Sequence, residues 1–177
     1  MRTEEVLRNH WFFSQEVGKE EALASDFQRK NWQAIQVPHD WSIYNDFDQY
    51  SPAQNEGGQL NGGQAWYRTH FYLEEDASLV SVRLLFDGIY MNAQVYINGQ
   101  VLGYYPNGYT PFSYDITPYL RNDGMTNQLA VFVENQQPSS RWYSGSGIYR
   151  EVKLLITDSM HLDLYGIKIE SPKLKEQ

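Results

Sequence analysis

The chain has 177 residues, a formal net charge of −8, 41% apolar and 15% aromatic residues, and no cysteine. That is enough apolar chain for one domain with a sizeable core, so disorder is excluded. The acidic balance argues against nucleic acid or an anionic membrane as partner, and the missing cysteines remove disulfides, thiolate catalysis and thiolate-bound metals.

The N-terminus, Met1-Arg2-Thr3-Glu4-Glu5, has no apolar h-region, so no signal peptide is read. No apolar run approaches membrane-spanning length. The expected location is the cytoplasm, with an exported protein whose leader has been removed as the alternative. Residues 1–37 read as an arm with one apolar anchor, Trp11-Phe12-Phe13, and a helical turn at Glu20-Glu21-Ala22-Leu23-Ala24. Pro38 biases Val37 to an extended backbone. Residues 42–65 form a long loop without apolar periodicity, and long irregular loops in compact domains are often functional.

Strand candidates follow. Trp66 to Leu73 is rich in aromatic and β-branched residues. Val80, Val82, Leu84 and Phe86 alternate with Ser81, Arg83 and Leu85. Met91, Ala93, Val95 and Ile97 alternate in the same way, and Asn98-Gly99 then predicts a type I′ hairpin returning through Val101 to Tyr105. Phe112, Tyr114 and Ile116 make a further candidate. Thr117-Pro118 reads as an N-cap followed by one helical turn to Arg121. Leu129, Val131 and Val133 form the next strand, and Val152, Leu154 and Ile156 another. His161 to Leu164 and Ile167 to Ile169 offer one or two more. Eight or more short strands, with turn dipeptides Asp87-Gly88, Asn98-Gly99, Asn107-Gly108 and Asp123-Gly124, predict an all-β sandwich.

Between two of these strands lies Pro138 to Arg150, which packs arginine, aromatics, serines and glycines into thirteen residues. Arginine offers a planar fork of donors and Trp a flat apolar face, a pairing suited to a hydroxylated ring. The alternative is a packed surface loop. Asp46 and Asp48 lie two apart and share a face of an extended segment, where they bind a cation or a sugar hydroxyl or are simply solvated. Glu4-Glu5, Glu20-Glu21 and Glu74-Glu75 read as plain surface charge, and no carboxylate pair is assignable to glycoside hydrolysis. The four histidines have no ligand spacing, so no metal site is expected. His39, between Pro38 and Asp40, reads as structural, its ring bonding nearby backbone. Ser144-Gly145-Ser146-Gly147 matches neither a serine nucleophile motif nor a phosphate loop.

Six pieces in order carry a family resemblance: Val37-Pro38-His39-Asp40-Trp41, Ala65-Trp66-Tyr67-Arg68, Leu85-Phe86-Asp87-Gly88-Ile89-Tyr90, Val95-Tyr96-Ile97-Asn98-Gly99, Tyr114-Asp115-Ile116-Thr117, and Ser140-Arg141-Trp142-Tyr143 with Gly145 to Arg150. Together they resemble the N-terminal sugar-binding domain of glycoside hydrolase family 2. Asn45 to Gly63 is similar to the loop of β-galactosidases from Gram-positive, streptococcus-like bacteria. The resemblance implies a jelly-roll β-sandwich with a long N-terminal arm and loop. It implies no cofactor and no catalytic residue here, because the acid/base and nucleophile glutamates sit in a later barrel domain, after an immunoglobulin-like domain. Those two domains and a galactoside-type carbohydrate are the implied partners, and the isolated domain is expected to be inactive. The sandwich is expected over residues 1–165, with 166–177 starting the linker to the immunoglobulin-like domain.

Within the resemblance, Arg141 is the first site candidate, donating to vicinal hydroxyls, orienting a barrel carboxylate or holding its own loop. Trp142 and Tyr143 wall the sugar subsite or pack on the barrel. Asn61 lies near the sugar, and Asp46 completes the candidate set. Family members that place an aspartate shortly before the tryptophan differ from this chain, which has Ser139 and Ser140 there. An autonomous carbohydrate-binding module, an interaction domain, and the same domain of a β-glucuronidase or β-mannosidase are the other readings.

Overall fold

Period-two alternation puts every second side chain of a strand on one face, so two sheets can bury their apolar faces against each other. A computed structural model, which describes residues 2–74, 76–121 and 125–171, has this architecture as an all-β jelly-roll sandwich. The smaller sheet has the order β1 (Arg2–Val6), β10 (Val152–Asp158), β5 (Val80–Phe86), β8 (Phe112–Asp115). The larger runs β3 (Gln33–Ile35), β2 (Trp11–Ser14), β4 (Gly63–Phe71), β9 (Asn127–Asn135), β6 (Ala93–Ile97), β7 (Gln100–Tyr105). Neighbours in both sheets are antiparallel.

The core sits between the sheets and uses the alternating residues. Val82, Leu84 and Phe86 of β5, with Val152, Leu154 and Ile156 of β10, belong to the same cluster as Val95 and Ile97 of β6 and Leu129, Val131 and Val133 of β9. The β6–β7 connection is the expected tight turn. Asn98 and Gly99 both have positive φ (49° and 80°), as a type I′ turn requires.

The N-terminal stretch is woven into both sheets, contributing β1, β2 and β3. What lies across a sheet as an arm is the segment around helix α1 (Lys19–Leu23). Its Val17, Ala22, Leu23 and Trp32 cover Trp66, Tyr96 and Ala130 on the outer face of the larger sheet. Arg68 is buried there, donating to the Ala22 carbonyl (3.0 Å) and Gln128 Oε1 (3.1 Å) while stacking on Phe27. Burial lowers the pKa of this guanidinium to about 10.

Two expectations change. Thr117 is not an N-cap: it starts a 3-10 turn, Thr117–Tyr119, and its hydroxyl donates to Asp115 Oδ1 (2.7 Å) while accepting from Val82 N–H (2.8 Å). The hydroxyl thus bridges the end of β8 and β5 instead of capping a helix. His161 to Leu164 and Ile167 to Ile169 form no strand, because no neighbouring strand offers them a ladder; Leu162, Ile167 and Ile169 are exposed. The Asp123-Gly124 turn and the tail beyond Ser171 lie outside the described residues.

Core and tail should therefore respond differently to truncation. Leu84→Ala is expected to lower unfolding free energy by about 2–5 kcal/mol in urea titration. Leu162→Ala should stay within about 0.5 kcal/mol of the parent; a large loss there would mean that residues 160–171 are packed.

Candidate functional site

The segment after Pro38 lies beside the segment that ends the Pro138–Arg150 loop. His39 N–H donates to the Ile148 carbonyl (2.7 Å) and Trp41 N–H to the Ser146 carbonyl (3.1 Å). On the other side, Tyr90 and Gly147 exchange both backbone hydrogen bonds (2.9 and 2.8 Å). Residues 146–148 are thus held between two extended segments. Gly147 has φ +111°, and a Cβ there would run into the Tyr67 hydroxyl and lie 2.9 Å from the His39 carbonyl oxygen. Only glycine fits that position.

Asp40 ties the loop's flank to this base. Its Oδ1 accepts from Ser42 N–H (3.0 Å) and Ser146 N–H (2.9 Å), and its Oδ2 accepts from the Tyr143 hydroxyl (2.6 Å). Burial, then the bond to Asp40 and its charge, push the Tyr143 pKa well up, so Tyr143 stays a neutral donor. Beneath, the His39 ring Nδ1 meets the Tyr67 hydroxyl at 2.9 Å. Burial lowers the His39 pKa, opposed by the Asp40 charge, and burial raises that of Tyr67. His39 is structural as expected, but its ring partner is the Tyr67 hydroxyl instead of backbone.

The long loop is pinned to the same base. Ser42 Oγ donates to the Asn61 carbonyl (2.8 Å) and lies 2.5 Å from Ser146 Oγ. Gly62 N–H donates to Gln137 Oε1 (2.8 Å), whose amide donates to the Leu60 carbonyl (3.0 Å). Asn61 Nδ2 donates to Asp48 Oδ2 (3.1 Å). Asp48, not Asp46, is therefore the carboxylate that touches Asn61, and Asp46 is exposed. The Tyr50 backbone N–H and then Asn61 lower the Asp48 pKa.

The far side of the loop is tied less. Trp142 is 58% exposed and its Nε1 donates to the Tyr109 hydroxyl (2.8 Å). Tyr149 OH donates to the Gly108 carbonyl (2.7 Å), which fixes the 106–110 turn beside it. Arg141 is exposed and, among the described residues, has no hydrogen bond or ion pair. The structure thus brings Arg141, Trp142 and Tyr143 together at one end of the sandwich. Asn61 belongs to the loop beside them, held inward by its partners. Trp41 and Trp66 are buried, whereas Trp142 is not. Sequence reasoning missed Asp40, Tyr67, Tyr109 and Gly147 as the groups that hold the loop, although Pro38-His39-Asp40-Trp41 was visible as a dense motif.

Chemically, the arrangement offers a free guanidinium and an exposed indole on a fixed support. That combination can hydrogen-bond hydroxyls or a carboxylate and cover a ring face. No described cluster of three or more His, Cys, Asp or Glu side chains is placed to hold a metal ion.

The family model described as glycosyl hydrolases family 2, sugar binding domain, matches residues 5–158. A β-galactosidase of Bacteroides ovatus, BoGH2A, is 44% identical over 158 residues, covering 89% of this chain and 18% of that protein. A β-glucuronidase of Formosa agariphila is 32% identical over 153 residues, covering 78% of this chain and 16% of that protein. The crystal structure of a glycosyl hydrolase family 2 member from Bacteroides cellulosilyticus superposes with a TM-score of 0.81 at 37% identity, covering 88% of this chain and 20% of that one. The chain thus spans under a fifth of the length of these curated relatives.

Two outcomes test the support. Gly147→Ala should cost about 3 kcal/mol or more by urea unfolding, since both the backbone conformation and the Tyr67–His39 contact oppose a Cβ. A near-neutral Gly147→Ala would refute the packing described. The buried His39 ring has a depressed pKa, so the unfolded chain binds the extra proton as pH drops below about 6.5. Its contribution is fully present above that pH and is lost as pH falls through the folded value. The urea midpoint should be lower at pH 5 than at pH 7.5, and His39→Gln should narrow the gap. His70, lowered by burial and then by Arg68, carries the same sign and keeps the gap from closing. An unchanged gap in His39→Gln would contradict the assignment.

Proposed function

The chain belongs to glycosyl hydrolase family 2 as its sugar-binding domain, and from that premise we propose that it serves a retaining β-galactosidase. In this reading it performs no bond cleavage. It lends Arg141, Trp142 and Tyr143, with Asn61 and Asp46 on the neighbouring loop, to the terminal-galactose subsite of a catalytic barrel in the longer protein. An immunoglobulin-like domain joins the two, with its linker starting near residue 166.

The observation that carries the reading is the contrast within one loop. Tyr143 is tied to Asp40, Trp142 leans on Tyr109, and Arg141 between the serines and Trp142 has no described partner. A long cation without a partner on a fixed loop is free to pair with what arrives, and a guanidinium does so with two parallel donors. The 44% identity to a β-galactosidase supports galactose as the sugar. The β-glucuronidase relative supports a second reading, in which the same guanidinium meets the carboxylate of a uronic acid.

Kinetics of the longer protein separate these. Under the galactoside reading Arg141→Ala lowers kcat/KM for an aryl β-galactoside about 10- to 100-fold, the loss of a charge-assisted hydrogen bond. An unchanged kcat/KM would remove Arg141 from the subsite. Turnover of an aryl β-glucuronide in preference to the galactoside would establish the second reading. The 177-residue chain alone should hydrolyse neither.

A further inference from the structure

The two outer faces of the sandwich are built differently. On the smaller sheet the exposed face is charged: Lys153 pairs with Asp87 (2.9 Å), Glu151 (3.2 Å) and Glu4 (3.5 Å), and Arg83 pairs with Asp163 (2.9 Å). That is an ordinary solvated face. On the larger sheet the register lines up Ser14 of β2, Trp66 of β4, Phe132 of β9, Gln94 of β6 and Tyr104 of β7 as direct cross-strand neighbours. Three of the five are aromatic, and the other two are neutral and polar. The arm covers only part of this face. Beside it an open groove of about 310 Å³ remains, lined by the half-buried Phe132 with Ser14, Lys19, Gln64 and Gln94, and touching only the edge of Trp66, which is itself buried.

The polar groups along the row are mostly amides and hydroxyls. Gln94 accepts from the Tyr96 hydroxyl (2.6 Å), which leaves its amide N–H groups to donate. Gln64 donates to Glu134 (2.7 Å), which leaves its carbonyl to accept. Tyr104 is 57% exposed and donates to Asn92 (2.7 Å). The Phe132 and Trp66 rings lie 5.1 Å apart. Lys19 sits over the Tyr96 ring at the groove's edge, and Glu134 is engaged by Gln64. A nearly uncharged strip on a chain of net charge −8 does not suit an ionic partner. The accessible Phe132 and Tyr104 rings, flanked by single amide donors and acceptors, suit a pyranose, which shows an apolar C–H face and a rim of hydroxyls. From β4 to β7 the row crosses three strand spacings, about 14 Å, the reach of a short oligosaccharide.

We propose that this row is a second carbohydrate site, separate from the Arg141 loop, that takes the face of a neutral β-linked oligosaccharide. Its affinity comes from ring contact and a few neutral hydrogen bonds, and so lies in the millimolar range typical of such small, exposed contacts.

The test is an NMR titration of the isotopically labelled 177-residue chain with β-1,4-linked galactotetraose. Shifts should centre on Phe132, Gln94 and Tyr104 as the sugar rises to about 20 mM. Tyr104→Ala and Gln94→Ala, at exposed or half-buried positions where folding is safe, should each weaken binding about three- to tenfold. Trp142→Ala should leave it unchanged, which keeps this site distinct from the loop reading. No shifts at that concentration would overturn the proposal. So would shifts confined to Tyr109 and Trp142, or shifts that vanish in Trp142→Ala and persist in Tyr104→Ala.

Discussion

The buried crossing at Gly147 is the constraint on which the functional end of the molecule depends. Gly147 threads between Tyr90 and the His39–Trp41 segment, above the Tyr67 hydroxyl. That hydroxyl comes from a strand in the middle of the larger sheet, so the loop's base is referenced directly to the core. Buried polar groups tend to find partners, and several here do so across the crossing: His39 with Tyr67, and Ser146 with Ser42 and the Asn135 amide N–H. Remove the close approach of backbone at Gly147 and the Asp40 bonds to Ser146 and Tyr143 lose their register together.

From this base the loop becomes freer with height. Tyr143 is fixed by a short bond to Asp40, Trp142 by one donor to Tyr109, and Arg141 by none that is described. Ordering an arginine side chain on binding costs about 2 kcal/mol of rotamer entropy, so a useful contact must exceed that. A charge-assisted, two-pronged hydrogen bond in a water-poor cleft does. The division is physical: rigidity where the loop meets the core, freedom at its exposed end.

Much of this architecture was legible in the sequence. Strands β5, β6 and β9 announce themselves through Val82-Leu84-Phe86, Ala93-Val95-Ile97 and Leu129-Val131-Val133, because each sends every second side chain into the core between the sheets. Asn98-Gly99 was legible because two positive φ values admit few residues. β1 was not, since Arg2-Thr3-Glu4-Glu5-Val6 is an exposed edge strand held by pairing with β10 and by Lys153, and it needs no apolar face. Ile167-Lys168-Ile169 shows the converse, as alternation without a neighbouring strand makes no sheet. At the site, composition singled out Arg141 and Trp142 but not their supports. Tyr143 and Asp40 are 103 residues apart, and a bond over that separation leaves no local trace.

We propose that Arg141 stays free to pair at a sugar subsite completed by another domain. A crystal structure of the longer protein with a galactose-derived inhibitor bound tests it most directly. The expected result is an Arg141 guanidinium nitrogen within about 3 Å of a sugar hydroxyl, or of a carboxylate that itself holds the sugar, with the Trp142 ring at the subsite wall. Arg141 pointing into solvent, away from a fully occupied subsite, would contradict it.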